Sequence, residues 1–276
     1  MPYLKYERNL DFEAAKEALR IYLGRDFGYI NFNLLHTVKD EINADIWRLG
    51  KARAHDAESK TEYDLTPRGA EWDMAIKLAG RPDFIGGFAH GDERFTEIEL
   101  TVDGELLFPE EITKKREFSE LIMTVRSIGY DPSKPSDEVL VHTKIFRVTD
   151  RGIATRQTVC WLDDYHVEVA YLAMMPPLKS LTDSFFTDSL PDPRATLGNY
   201  GNFGFATSAT VYGKESGYRF RMSVPVYPEL RASGDFLITD NSGCQYNKMY
   251  FTAIRGDEVH AGDVWESLTE YSIERY

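Results

Sequence analysis

The chain of 276 residues carries 32 Lys and Arg against 45 Asp and Glu, which gives a formal net charge of −13. Hydrophobic residues make up 42% and aromatic residues 13% of the sequence, so wholesale disorder is excluded. Because a strongly acidic surface repels phosphate, we expect no binding to nucleic acid or to an anionic membrane surface.

Targeting and cofactor motifs are absent from the sequence. It has no signal peptide at its N-terminus and no run of the roughly 18 to 20 apolar residues that a transmembrane helix needs, so we expect a cytoplasmic location. Two cysteines, Cys160 and Cys244, are too few for a disulfide framework or a cysteine-based zinc site. Since nucleotide-binding motifs such as GxxxxGK[ST] are missing too, we expect neither a metal nor a cofactor.

The first part of the chain has the pattern of helices. Asp11 is a candidate N-cap, and apolar residues then recur at helical spacing up to Gly24. A second helix is predicted over 35–49, and the polar segment 51–69 is predicted to be a loop. We therefore predict a helical N-terminal section and linker over 1–70, followed by a β-sandwich domain over 71–276.

From residue 72 onward the pattern is typical of β-strands. Residues 97–102 alternate polar and apolar side chains, and Asp103-Gly104 marks a tight turn. Further strands are predicted at 105–108, 121–128, 139–148, 153–162, 166–174, 203–212, 218–224 and 246–255. Short strands joined by turns, without regular helices between them, predict a mainly β fold, an antiparallel β-sandwich or jelly roll.

Two segments concentrate His, Lys and Glu. In 84–94, three glycines surround His90 and Glu93, and glycine lets the backbone approach a ligand closely or form a bulge. In 139–148, alternation places His142 and Lys144 side by side on one face, about 7 Å apart. The opposite face of that strand, with valines, Thr and Ile, is the predicted core face. We expect His90, Glu93 and Lys144 to bind a substrate.

A third segment carries aromatic side chains beside a lysine. Alternation over 246–255 places Tyr246, Lys248 and Tyr250 on one face of a strand. Tyrosine rings stack on the C–H surfaces of sugars, while a phenol or an ammonium group donates hydrogen bonds or moves protons. The segment therefore predicts a sugar-binding face, with Lys248 among the substrate-binding residues.

Three motifs occur in chain order: Arg94-Phe95-Thr96-Glu97-Ile98-Glu99-Leu100, Leu140-Val141-His142 and Tyr246-Asn247-Lys248-Met249-Tyr250. Together they resemble the motifs that line the concave face of jelly-roll polysaccharide lyases of the alginate-lyase type, although Leu140 stands where that family has Gln. The resemblance implies β-elimination on a uronate polysaccharide. Arg94 would bind the carboxylate, His142 would take the C5 proton, and Tyr246 or Tyr250 would protonate the leaving oxygen.

Two alternatives stay open. A glycoside hydrolase needs two carboxylates about 5 to 10 Å apart, for which Glu93, Glu97 and Glu99 are candidates. A non-catalytic carbohydrate-binding or structural sandwich would show the same strands and aromatic residues without acid–base groups that converge. In each case the expected partner is a carbohydrate, and aromatic sheet edges are compatible with a homo-oligomer.

Overall fold

The computed structural model describes residues 1–8, 10, 14–69, 71–196, 200–202, 204–228, 235–240 and 243–276, without the side chains of 200–202, 235–240 and 253. The described residues are mainly β-strand, which confirms the predicted fold class of a β-sandwich. None of the helices in these ranges is long and apolar enough to cross a membrane.

The described strands, numbered along the chain, are β1 (Tyr3–Arg8), β2 (Ala15–Arg25), β3 (Gly28–Lys39), β4 (Ala44–Leu49), β5 (Arg53–Asp56), β6 (Thr61–Asp64), β7 (Ala75–Leu78), β8 (Phe84–Ile85), β9 (Glu93–Val102), β10 (Glu105–Leu107), β11 (Arg116–Glu117), β12 (Leu121–Asp131), β13 (Lys134–Thr149), β14 (Gly152–Trp161), β15 (Tyr165–Met175), β16 (Ser184–Thr187), β17 (Arg194–Ala195), β18 (Tyr200–Asn202), β19 (Ser208–Tyr212), β20 (Tyr218–Val226), β21 (Asp235–Asp240), β22 (Asn247–Val259) and β23 (Val264–Arg275). The short helix α1 spans Gly87–His90, and 3-10 turns span Asp40–Ile42, Pro109–Glu111 and Lys179–Leu181.

These strands form two sheets. In the larger sheet, hydrogen-bonded neighbours run from β17 through β16, β19, β20, β23, β14, β13, β12, β9, β4, β3 and β2 to β1 and β11. The smaller sheet has the order β18–β21–β22–β15–β7–β8. Among the described pairings, only β4 with β9 is parallel, and the others are antiparallel.

Both sheets contribute to one apolar core. On β22, alternation turns Met249 and Phe251 into this core, where both are fully buried. From the larger sheet, the phenol of Tyr271 donates a hydrogen bond of 3.1 Å to the carbonyl oxygen of Trp72, which directly precedes the smaller sheet in the chain. The inner faces therefore pack on each other as in a sandwich.

The predicted helix near the N-terminus is wrong. Residues 15–25 form strand β2, paired with β1 and β3, while the predicted cap Asp11 lies outside the described residues. Leu19, Ile21 and Leu23 are buried every second residue, which is the period of a strand. The isolated helical spacing of other apolar residues misled the prediction, because pairing with two neighbours decides the conformation of such a short segment.

The predicted helix over 35–49 and the loop over 51–69 are also wrong. The first segment is the hairpin of β3 and β4, turned by the 3-10 turn Asp40–Ile42 and by Asn43 in the left-handed region at φ 51°. The second segment contains the hairpin of β5 and β6. A division of the chain at residue 70 stays a prediction, although strands on both sides of it pair in the larger sheet.

Candidate functional site

Glu93 lies at the centre of a buried ionic cluster. One oxygen of its carboxylate is 3.1 Å from Nδ1 of His142 and 3.0 Å from Nζ of Lys144, and no side chain of the three is more than 3% exposed. Burial by itself would raise the pKa of Glu93, but the charges of Lys144 and His142 outweigh it and hold that pKa well below its usual range. Glu93 is therefore ionised at neutral pH.

The face of β13 that carries His142 and Lys144 is the inner face, so the predicted core face is wrong. Leu140, His142, Lys144 and Phe146 are buried, whereas on the other face Val139 is buried but Val141, Thr143 and Ile145 are only partly buried. A lysine and a histidine can occupy the inner face because Glu93 forms an ion pair with Lys144 and a hydrogen bond with His142.

A second acidic residue, Asp73, lies in the interior near this cluster. Burial raises the pKa of Asp73 to about 6, against the lowering effect of Lys144 and Arg48, and the charges of Glu93 and Glu71 raise it further. One of its carboxylate oxygens, Oδ2, is buried without a hydrogen-bond partner among the described residues. The interior cluster thus holds two carboxylates whose pKa values are shifted in opposite directions.

Glu71 connects the cluster to the protein surface. Its Oε2 accepts a hydrogen bond of 2.7 Å from Nζ of Lys248, and its Oε1 accepts one of 3.1 Å from the backbone N–H of Ala89. Burial raises the pKa of Glu71, but Lys248, His90 and the Ala89 N–H together lower it below the ordinary value. Glu71 is therefore an ionised carboxylate with a small exposed area, 14% of its side chain.

A row of contacting rings extends from this ion pair. Nζ of Lys248 lies 4.7 Å from the ring centroid of Tyr250, which is 4.8 Å from that of Tyr171. The row continues to Phe84 at 5.7 Å from Tyr171, and to His90 at 4.7 Å from Phe84. We call these four rings the aromatic row. All four side chains are half-buried, so that part of each ring is open to solvent.

The backbone around α1 brings the Ala89 N–H into hydrogen-bond contact with Glu71 and brings His90 close enough to interact with it electrostatically. A Cβ atom on Gly86 (φ +94°) would lie 2.8 Å from the carbonyl oxygen of Met74, and one on Gly91 (φ +78°) would lie 2.0 Å from that of Ile42. Only glycine fits such close approaches at positive φ. Gly86 and Gly91 therefore allow the tight turn around α1, while the predicted approach of this backbone to a ligand stays a prediction.

His90 is oriented by a second carboxylate. Its Nδ1 lies 2.7 Å from Oδ1 of Asp83, and its other ring nitrogen forms no hydrogen bond in the described part of the chain. The side chain is 27% exposed. Over the same described ranges, no three His, Cys, Asp or Glu side chains are grouped so that they could hold a metal ion.

All but one of the predicted site residues fall into two groups. Glu93, His142 and Lys144 come together in the interior. Lys248, Tyr250 and His90 belong to the surface region around Glu71, and Tyr246 interacts electrostatically with both Lys248 and Tyr250. Their roles as catalytic or substrate-binding residues stay predictions.

Arg94 is not part of either group. Since Arg94 follows Glu93 on β9, it points to the opposite face, where it is 40% exposed and pairs with Asp45 at 3.5 Å. The carboxylates of Glu97 and Glu99 are exposed on the outer surface of the same strand.

Sequence reasoning missed Glu71, Asp73 and Arg48. The alternation Glu71-Trp72-Asp73 places two acids on either side of a buried tryptophan, a pattern that ordinary strands also show. Arg48 is fully buried, with its guanidinium 4.1 Å from the ring centroid of Phe88. Only the fold brings these residues next to β22 and β13, so no signal in the sequence pointed to them.

No model of a protein family and no curated protein matches the sequence. The fold is similar to that of a 4-alpha-glucanotransferase from Thermococcus litoralis, with a TM-score of 0.52 and 8% identity over 100% of this chain and 40% of that chain. It is similar also to the galactosidase domain of the alpha-galactosidase-sucrose kinase AgaSK, with a TM-score of 0.52 and 10% identity over 97% of this chain and 41% of that chain. The chain thus spans about two fifths of the length of these two proteins. A galactose 1-epimerase from Lactobacillus acidophilus NCFM matches with a TM-score of 0.44 and 10% identity over 100% of this chain and 99% of that chain.

The resemblance to jelly-roll polysaccharide lyases is wrong, because the fold is similar to those of a glucanotransferase and a galactosidase domain instead. The arrangement of the strands explains why the motifs mislead. β9 and β13 belong to the larger sheet, whereas β22 pairs with β15 and β21 in the smaller one. The three motifs therefore do not line one concave face, and Arg94 points away from His142.

Proposed function

We propose that this protein binds a neutral carbohydrate at the aromatic row, next to the ion pair of Glu71 and Lys248. The observation that carries this proposal is that Lys248, which is paired with Glu71, lies over the ring of Tyr250 at one end of the aromatic row. Rings offer apolar surface to sugar C–H groups, while a carboxylate and an ammonium 2.7 Å apart accept from and donate to neighbouring sugar hydroxyls.

Charge supports a neutral ligand at this position. Lys248 compensates the carboxylate of Glu71, and the protein as a whole carries a net charge of −13. Such a charge disfavours the approach of a polyanion from solution. The similar folds of a glucanotransferase and a galactosidase domain are compatible with a sugar ligand for this chain.

Calorimetric titration with a panel of neutral oligosaccharides tests the proposal. We expect at least one glucan, galactan, mannan or xylan fragment to bind the wild type, and Tyr250→Ala to weaken that binding about tenfold, because an aromatic contact contributes roughly 0.5–1.5 kcal/mol. Tyr22→Ala is the matched control, since Tyr22 belongs to a separate stack with Tyr3 on β1 and β2. Absence of binding across the panel, or equal losses in both variants, would contradict the proposal.

A second candidate function, acid–base chemistry on the bound sugar, is favoured by the arrangement of His90. Asp83 is hydrogen-bonded to one nitrogen of the His90 imidazole, and the other nitrogen forms no hydrogen bond among the described residues. Burial raises the pKa of Glu71, whereas Lys248 and, to a smaller extent, His90 lower it, so Glu71 lies within electrostatic reach of His90. An ionised carboxylate and an oriented imidazole are a suitable base and acid for moving protons at a sugar hydroxyl.

This second function has its own test. Polarimetry of anomer interconversion in neutral aldoses, and release of chromophore from aryl glycosides, cover the two simplest proton-transfer outcomes. We expect Glu71→Gln and His90→Gln each to lower such a rate about 100-fold when it is measured at saturating sugar. If both rates in the wild type equal the uncatalysed rates, the protein binds the sugar without acid–base chemistry, and the second function is wrong.

A further inference from the structure

The two ends of the aromatic row meet at the carboxylate of Glu71. At one end, Nζ of Lys248 lies 4.7 Å from the ring centroid of Tyr250 and donates a hydrogen bond of 2.7 Å to Oε2 of Glu71. At the other end, His90 directly follows Ala89, whose backbone N–H donates a hydrogen bond of 3.1 Å to Oε1 of the same carboxylate. Glu71, Lys248, Ala89 and the four rings therefore form a closed series of contacts, which we call the contact circle.

The strand order of the smaller sheet explains this closure. Tyr250 lies on β22, Tyr171 on β15 and Phe84 on β8, so that the row crosses the sheet. β7 lies between β15 and β8, and Ala75 is the residue of β7 opposite Tyr171. Its small side chain lets the rings of Tyr171 and Phe84 approach each other to 5.7 Å. Helix α1 follows β8 and turns the chain back to Glu71, which precedes β7.

Gly87, the first residue of α1, leaves space beside the carboxylate of Glu71. It is buried at φ +78°, and a Cβ atom on it would lie 3.7 Å from Oε1 of Glu71. Among the described residues, no other atom lies within 4 Å of that position apart from the adjoining backbone. Any larger residue would fill this space with its side chain and would be strained at positive φ. On the side of Gly87, no side chain therefore covers the carboxylate of Glu71.

The ion pair lies deeper than the aromatic rings. Only 7% of the Lys248 side chain and 14% of the Glu71 side chain are exposed, against 27% for His90. The four rings are all half-buried. The ion pair therefore forms the floor of the contact circle and the rings form its rim, so a ligand approaches the ion pair over these rings.

A closed rim excludes the middle of a sugar chain from the floor. Neighbouring ring centroids along the rim are 4.7 to 5.7 Å apart, which is the contact distance of aromatic pairs, so no gap is left between them. A chain that runs past the site would need one gap to enter and another to leave. A terminal sugar unit needs neither, because it enters from the solvent side and leaves the rest of the chain in solvent.

We infer that the contact circle binds the terminal sugar unit of a neutral glycan, an inference that rests on the neutral-sugar site proposed above. The rings enclose the apolar C–H faces of this one unit, while Glu71 accepts from and Lys248 donates to its hydroxyl groups. The next unit of the chain lies outside the rim and makes few contacts. Binding therefore depends on the end of the glycan and little on its length.

Calorimetric titration of the full chain with glycans of increasing length tests this inference. The probes are xylo-, malto-, manno- and β-1,4-galacto-oligosaccharides of one to six units. In each series that binds, we expect the affinity to reach its full value by the second unit and to change by less than about twofold from two to six units. An affinity that rises about threefold or more with each added unit up to the fourth would show successive subsites along an open row and would overturn the inference.

A long unbranched chain of the same sugar distinguishes the end of a glycan from its interior. At saturation we expect one protein molecule per polysaccharide chain, because each chain has one end of a given kind. Several protein molecules per chain would mean that interior units bind, and would overturn the inference.

Substitution of Phe84 tests whether the rings face the same sugar unit. Phe84 and Tyr250 lie on different strands, yet both enclose one unit in this arrangement, so Phe84→Leu is expected to weaken the binding of the shortest sugar ligand about fivefold. Phe108→Leu is the matched control, since Phe108 is exposed next to β10 in the larger sheet, and it should bind as the wild type does. Unchanged binding in Phe84→Leu would overturn the inference.

The outcomes separate this inference from the proposed function on which it rests. Affinity that grows with chain length, or several protein molecules per chain, would leave the neutral-sugar site in place and overturn only the restriction to a terminal unit. No binding by any oligosaccharide would overturn both.

Discussion

Replacement of Glu93 by Gln should destabilise the protein strongly, because Glu93 compensates two buried cations. Its carboxylate lies 3.1 Å from the imidazole of His142 and 3.0 Å from the ammonium of Lys144, and the three residues are 1 to 2% exposed. A Gln amide keeps the shape of the side chain but not its charge. Lys144 would then be left buried with less compensation.

The size of the effect follows from this burial. Removal of one partner of a buried ion pair costs roughly 3–5 kcal/mol, and Asp73 nearby still attracts Lys144, so we expect about 3 kcal/mol for Glu93→Gln. A protein of this kind has a total stability of about 5–15 kcal/mol. The double variant Glu93→Leu, Lys144→Met removes both charges and should recover most of the loss.

Urea unfolding followed by circular dichroism measures these free energies. The pKa of Glu93 in the folded protein lies below its value in the unfolded chain, so its contribution is present above an unfolded pKa of about 4.3 and is lost as the pH falls toward the folded pKa. The gap between wild type and Glu93→Gln should therefore narrow in acid. A gap under about 1 kcal/mol at neutral pH would refute the reasoning, since it would mean that the cluster is compensated without Glu93.

Three further predictions concern stability and its dependence on pH. Burial raises the pKa of Asp73 to about 6, so the ionised form of Asp73 destabilises the fold. Asp73→Asn should therefore raise the free energy of unfolding by about 2 kcal/mol near pH 8 and change it little near pH 4. An equal effect at both pH values would contradict this prediction. Burial lowers the pKa of His36, but hydrogen bonds to Glu17 and Asp45 outweigh it and raise that pKa. The free energy of unfolding of the wild type should therefore exceed that of His36→Gln by about 1 kcal/mol below pH 6.5, and this difference should disappear as the pH rises through the folded pKa. A constant difference between pH 6 and about pH 9 would show that the charge of His36 does not contribute. Gly152→Ala should lower the melting temperature more than Gly104→Ala, because an added Cβ would meet the Tyr271 carbonyl at 2.3 Å in the first and nothing within 4 Å in the second; equal losses would show that backbone conformation alone decides.

Long strands such as β9, β13 and β14 were predicted from the sequence, whereas β16, β21 and β23, and the strands before residue 50, were not. β9, β13 and β14 alternate clearly and form long hairpins with local turns, so the sequence contains their signal. In β2, helix-forming residues such as Ala, Lys and Glu mask the short alternation at Leu19, and the pairing with β1 and β3 overrides their preference. Strand pairing of this kind cannot be recognised from a short stretch of sequence.

Part of the candidate site could be predicted because strand period alone determines which side chains share a face. Lys248 and Tyr250 share the outward face of β22 as predicted, and His142 and Lys144 share a face of β13. That the face of β13 with His142 and Lys144 turns into the core depends on Glu93 from another strand, and the sequence analysis wrongly placed this face outside the core. Glu71 joins the site through a contact across 177 residues of sequence, which no local pattern specifies.

A neutral-sugar site at the aromatic row can be located by amide chemical-shift mapping of the isotope-labelled protein with the neutral oligosaccharide that binds most tightly in the titration panel. We expect the largest chemical-shift changes at Tyr171, Lys248 and Tyr250 and around α1, while the amide resonances of Tyr3 and Tyr22 on the separate stack stay unchanged. Shifts confined to residues away from the aromatic row, or no shifts at saturating sugar, would contradict the proposed site.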